Sequence, residues 1–157
     1  MPQAAFLFSI AGLSLSLAGF SGLVAAFKRG APLNPIDAFR LRELPEMALA
    51  TTFLAVLTIP LIDALHNEVV TIQIASGLAM LFTVAHVLRL VTRVRQIGIS
   101  QSTGKQLLVT LANVLLLVTG AVSLGLGTPT AYEWLLVFML ARPMLAFVLV
   151  LTEIAPG

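Results

Sequence analysis

The chain reads as an all-α membrane protein: a five-crossing transmembrane helical bundle with a short cytoplasmic surface helix between crossings one and two. Three observations carry that expectation. The first is composition. The chain is 59% hydrophobic and 10% charged, against about 45–50% and about 25% in an ordinary soluble domain. A soluble fold of 157 residues has too much surface per unit volume to hide so much apolar area. The second is length: five apolar runs each approach the roughly 20 residues of helix that cross a bilayer core. The third is the placement of the nine Lys and Arg residues.

The crossings are expected at about residues 5–27, 45–65, 69–90, 107–126 and 131–153. Backbone polar groups cannot stay unpaired in lipid, so each is read as an α-helix. The runs are too long and too continuously apolar for the alternating strands of an outer-membrane barrel. The first has neither a basic lead nor a small-residue cleavage site, so it is expected to stay as a helix rather than leave as a signal peptide.

Lys28, Arg29, Arg40 and Arg42 fall between the first two runs, and Arg89, Arg93, Arg95 and Lys105 lie in and around the interval after the third. The other two intervals carry no Lys or Arg. By the positive-inside rule the N-terminus faces out and the C-terminus faces the cytoplasm, in a cell inner (plasma) membrane. These arginines serve topology and phospholipid contact, with no basic, aromatic-interleaved surface for nucleic acid.

Local chemistry refines the connections. Asn34-Pro35-Ile36-Asp37 has the form of an N-cap, an N1 proline and a first-turn acid, predicting the surface helix over Pro35–Leu44. Pro45-Glu46 then looks like the first turn of the second crossing. Tyr132 and Trp134 stand where an outer interfacial aromatic belt is expected. Ser102 or Thr103 caps the fourth crossing. Arg142-Pro143 could split the fifth into a re-entrant hairpin, but proline is common in transmembrane helices, so a kinked full crossing is expected.

Arg142 is the most informative single residue. It is the ninth cation, alone in an apolar run and placed near the bilayer midplane by helix rise. Burying it costs about 2.5–3.5 kcal/mol on insertion scales, and it keeps its charge, which suits it to fixed anion binding rather than proton carriage. No acid lies mid-segment on another crossing. Asn113 and Thr119 are nearest in depth, so the expected partners are amide and hydroxyl oxygens, carbonyls freed by Pro143, water or another subunit.

His86, one turn from Arg89, reads either as a packing histidine hydrogen-bonded to a neighbouring helix or as a proton relay, because imidazole changes charge near neutral pH. His66, the only other histidine, belongs to the opposite side, which excludes paired-histidine haem ligation within one subunit. Asp63, His66 and Glu68 read as a solvated loop rim, so no metal and no cofactor are expected. The absence of cysteine removes thiolate chemistry. The run Gly98–Gln106 only superficially resembles a phosphate loop: its glycine spacing is wrong and no strand precedes it.

Small residues Ser9, Gly12, Ser16 and Gly19 recur three, four and three apart along one face of the first crossing. Gly120, Ser123 and Gly127 repeat the pattern on the fourth. Close backbone approach across such residues holds helices together in lipid, and internal packing is the expected use of the first seam. With no catalytic constellation, the leading expectation is a non-enzymatic membrane protein acting through helix packing, as a homo-oligomer or an accessory subunit. The alternative is a small channel or carrier with Arg142 as its anion-binding or gating residue. A lipid-modifying or redox enzyme ranks third.

Overall fold

In the computed structural model, which describes residues 4–27, 35–97 and 103–154, the chain forms five helices: α1 (Ala4–Phe27), α2 (Pro35–Leu65), α3 (Glu68–Ile97), α4 (Thr103–Leu126) and α5 (Pro129–Ile154). Each is long and apolar enough to span a membrane. Large apolar side chains such as Phe8, Phe53, Leu81 and Leu111 face outward, whereas most of the buried polar groups come from serine and threonine. That is the reverse of a soluble protein and suits a lipid surround. Asn34, Ser102 and the cations Lys28 and Arg29 lie outside the described residues.

Helices α2, α3, α4 and α5 pack side by side into a closed ring, with α5 also reaching α3 across it; α1 lies outside, against α2 and α5. Helix α5 therefore touches all the others, and its apolar residues (Leu135, Leu136, Met139, Leu140) form the centre of the core with Leu54, Ile72, Leu116 and Leu7.

The separate surface helix is not found. Helix α2 runs unbroken from Pro35 through Pro45 and Pro60 to Leu65. A proline inside a helix removes one backbone bond, but packed neighbours make that tolerable in an apolar bundle. The residues read as a surface face are in fact packed: Leu41 and Leu44 are buried against Val24, Ala146 and Phe147. The expected N1 role of Pro35 holds, because α2 begins there. Helix α3 is also longer than expected, extending through Arg89 and Arg93 to Ile97. Helix α5 is continuous through Pro143, a full crossing rather than a hairpin.

Two tight turns set the register. Between α2 and α3, the His66 amide donates to the Ile62 carbonyl at 3.0 Å, with His66 at φ 52°. The Asn67 side chain then accepts from the Val70 amide at 3.2 Å and caps α3. Between α4 and α5, Gly127 closes α4 at φ 60°, its amide donating to the Ser123 carbonyl at 2.9 Å. A β-carbon on Gly127 would sit 2.6 Å from Val69 Cγ1, so glycine is required both by conformation and by the nearness of α3.

Tyr132 does not join an aromatic belt. It is wholly buried, its hydroxyl 2.7 Å from Thr58 Oγ1 and donating to the Leu54 carbonyl at 3.2 Å. A phenol with two partners on α2 loses nothing by leaving the interface. Trp134 is exposed, as expected.

The α1 seam also points the other way. Ser9, Gly12, Ser16 and Gly19 are all exposed, and nothing lies within 4 Å of where a β-carbon would stand on Gly12 or Gly19. The face opposite them, Leu7, Ile10, Ala11 and Ser14, is the one buried. Larger side chains fill that contact, and Thr52 reaches across to donate to the Ala11 carbonyl at 3.3 Å. The α4 pattern, by contrast, is used: Gly120 lies against Met80, and Ser123 bonds Ser76 at 2.7 Å.

Gly127→Ala is expected to cost about 1–2 kcal/mol from its backbone alone, with more from the crowding at Val69. Gly125, which has open space around it, should accept alanine with an unchanged or raised thermal midpoint. Melting the two purified variants in the same detergent separates them; equal midpoints would contradict the role given to Gly127.

Candidate functional site

Each helix of the ring contributes one buried polar residue to a common place: Glu43 from α2, His86 from α3, Asn113 from α4 and Arg142 from α5. Their exposures are 7%, 5%, 8% and 6%. Arg142 donates from Nε to Asn113 Oδ1 at 2.6 Å. His86 Nε2 lies 2.9 Å from Glu43 Oε1. Glu43 also interacts electrostatically with Arg142, joining the two pairs. Phe82, one turn before His86, stacks on the imidazole at 6.2 Å between ring centres.

The sequence expectation that Arg142 has no carboxylate at its level is overturned. Glu43 is that carboxylate. It is carried inside because α2 does not start at Pro45 but continues below it, so Glu43 belongs to the Leu41–Leu65 stretch that is long and apolar enough to span a membrane, and not to a separate surface helix. By helix rise, His86, Asn113 and Arg142 lie at closely similar distances from the arginine-bearing end of the bundle.

A cleft of about 810 Å³ leads to it from that end, lined by Phe39, Arg42, Glu43, Glu46, His86, Arg89, Thr92 and Arg93. A water molecule occupies about 30 Å³ of liquid, so the cleft has room for solvent beside Glu43 and His86, whose Oε1 and Nε2 are themselves buried. The rim is basic. Arg42 and Glu46 form an exposed pair at 3.8 Å, whereas Arg89 and Arg93 have no carboxylate partner among the described residues. Away from the cleft the interior closes with Leu116, Leu135, Ile72, Met139 and Tyr132, all essentially buried.

The chemistry available is specific. The Glu43–His86 approach is close but poorly directed, since neither Oε1 nor Nε2 makes a hydrogen bond of good geometry. Guanidinium has five donors, and only Nε of Arg142 is bonded among the described residues. Its terminal nitrogens stay available to an acceptor. The group therefore combines a fixed cation, a carboxylate, an imidazole and an amide, the carboxylate and imidazole lining the cleft.

Of the residues singled out in the sequence, Arg142, Asn113 and His86 come together. Thr119 does not: its hydroxyl donates back to Leu115 and Leu116 carbonyls at 2.9 and 3.0 Å on its own helix. Glu43 was the residue missed. Its signal was present as an acid flanked by Leu41, Leu44, Met47 and Ala48, an apolar spacing that continues the α2 face across Pro45.

Asn113→Ala should leave the Arg142 Nε–H without its acceptor and lower stability by about 1–3 kcal/mol. Replacing both together, Asn113→Leu with Arg142→Met, should not recover that loss, because it leaves the buried Glu43 carboxylate without its cation. Thermal midpoints in detergent test this; an Asn113→Ala protein as stable as wild type would show that the bond contributes nothing. No known protein family, no curated protein and no solved structure matches this chain.

Proposed function

We propose that the chain is a small membrane carrier of anions, with Arg142 as the intramembrane anion ligand and the arginine-rimmed cleft as its cytoplasmic vestibule. The observation that carries this is the convergence of Glu43, His86, Asn113 and Arg142 from four helices, with Glu43 and His86 lining a cleft at the arginine-bearing end. Ionisable groups inside an apolar bundle are expensive and mark ion pathways by default. As a pure packing device the group is poor, because a buried ion pair rarely stabilises more than apolar residues of the same volume.

The one-sided approach favours a carrier over an open pore. The cleft reaches Glu43 and His86 from the arginine-bearing end, and among the described residues apolar side chains close the other side. Arg89 and Arg93 on the rim would raise the local concentration of anions, and the positive-inside rule puts that rim in the cytoplasm. Asn113 and Glu43 supply Arg142 with an acceptor for Nε and an opposite charge within the chain, and its terminal nitrogens are left for the anion.

Purified protein in liposomes should take up chloride or nitrate, and Arg142→Gln should slow that uptake about ten- to a hundredfold, the loss of one charge-assisted bond. Arg142→Lys, which keeps the charge without the fork, should fall between them. No uptake of either anion by wild-type protein would overturn the proposal.

A second reading, self-association, is favoured by the outward-facing small residues of α1. They offer a flat face for close approach by another helix. Native mass spectrometry in mild detergent should then show a defined oligomer that Gly12→Leu reduces to monomers, whereas a wild-type monomer under all mild conditions removes this reading.

A further inference from the structure

We infer that the site carries a proton together with each anion, with Glu43 as the seat of the proton and His86 as its way in from the cleft. This rests on the carrier reading above. The charge arrangement is what requires it. The interior holds one carboxylate and one guanidinium that interact electrostatically, and the guanidinium does not give up its charge. A chloride or nitrate drawn to the free terminal nitrogens of Arg142 would place two negative charges against one positive in a poorly screened interior. One change relieves the excess. Glu43 takes up a proton, becomes neutral and yields Arg142 to the anion.

The proton has a donor at contact distance. With His86 protonated, the Nε2–H bond breaks and an Oε1–H bond forms across the 2.9 Å separation, leaving a neutral imidazole. No oxidant, reductant or further reactant is needed. Neither atom is held by another hydrogen bond, so no competing partner fixes the proton. The imperfect alignment suits an unloaded site, since proton-transfer contacts often tighten only when the ligand is present. Both residues line the cleft, so the whole relay lies on the arginine-bearing side of the bundle.

The surroundings leave these two as the acid and the imidazole beside Arg142. On α2 the charged neighbours are Arg42 and Glu46, which are exposed and paired with each other. Helix α3 presents Arg89 and Arg93 at the rim, and α5 presents Arg142. Helix α4 contributes the uncharged Asn113 at this level, and α1 has no charged residue at all. Among the described residues, the pair is thus the only buried acid and imidazole facing the anion ligand.

One proton per monovalent anion moves no net charge, which makes the inference measurable. Wild-type liposomes with a nitrate or chloride gradient and a pH dye inside should acidify internally as the anion enters, at a rate indifferent to a clamped membrane potential. Glu43→Gln, neutral at every pH, should still take up nitrate but without acidification, and its uptake should now follow the potential. His86→Ala should slow coupled uptake at least about tenfold, and imidazole in the bath should restore part of it. Anion uptake without proton movement by wild type would overturn the proton inference and leave the carrier reading standing; no anion uptake at all would overturn the carrier reading first. Acidification that persists in Glu43→Gln would remove Glu43 as the seat. Should Glu43→Gln fail to fold, as its thermal midpoint would reveal, the proton and potential measurements on wild type decide the matter alone.

Discussion

A guanidinium that cannot be neutralised, placed among apolar helices, must find acceptors or the bundle will not close around it. Arg142 sets that demand, and its helix is the one that touches all the others. The position of α5 in the ring and the identity of its neighbours are therefore linked. Asn113 on α4 supplies an oxygen for Nε at 2.6 Å, and Glu43 on α2 supplies the opposite charge. His86 on α3 then lies against Glu43. Remove the arginine and a buried carboxylate is left without its cation; remove the carboxylate and the arginine is left with an amide. Each helix of the ring is committed to the same depth by one side chain.

That depth is held by the backbone devices at the opposite end. Asn67 caps α3 after a two-residue turn, and Gly127 lets α4 end against Val69 so that α5 can begin at once. Turns this short leave no slack to slide one helix past the next. Tyr132 adds a lateral tie from α5 to Thr58 and the Leu54 carbonyl on α2. A slip of a single residue in α5 would swing Arg142 about 100° around its axis, away from Asn113. The polar site at one end and the turns at the other are thus parts of one register.

Much of this was legible in the sequence because lipid simplifies the code. Apolar length alone marks a crossing, and all five helices were placed within a few residues at the ends near Phe27, Leu65 and Leu126. Arg142 and Asn113 were legible as a pair by depth. What failed shares a physical cause: local signals were read without the packing that overrides them. Pro45 has the chemistry of a helix start, yet packing on both sides let α2 pass through it, and Glu43 was consigned to a surface it does not occupy. Tyr132 has the composition of an interface residue, but whether its hydroxyl turns inward depends on Thr58, 74 positions away in the chain. The small residues of α1 could not reveal which way they face, because a helix apolar all round carries no periodic signal of its buried side.

The asymmetry of the interior says where movement must occur if the site is to face both sides. Toward the arginine-bearing end stands the cleft with exposed side chains such as Arg42, Glu46 and Arg93 at its rim. Toward the other end stand Leu116, Leu135 and Met139, backed by two polar ties between helices, Tyr132 with Thr58 and Ser76 with Ser123. Hydroxyls at Thr51, Thr58 and Thr83 also donate to carbonyls four residues back on their own helices, a pattern that bends helices and weakens their backbone ladder. Parting α5 from α2 would take from the Tyr132 hydroxyl both of its partners, whereas Thr58 keeps its Leu54 bond. The same seam joins the helices that carry Glu43 and Arg142, which attract each other. Neutralising Glu43 would weaken the attraction across that seam, so the charge state of the site and the opening of the bundle act on the same pair of helices.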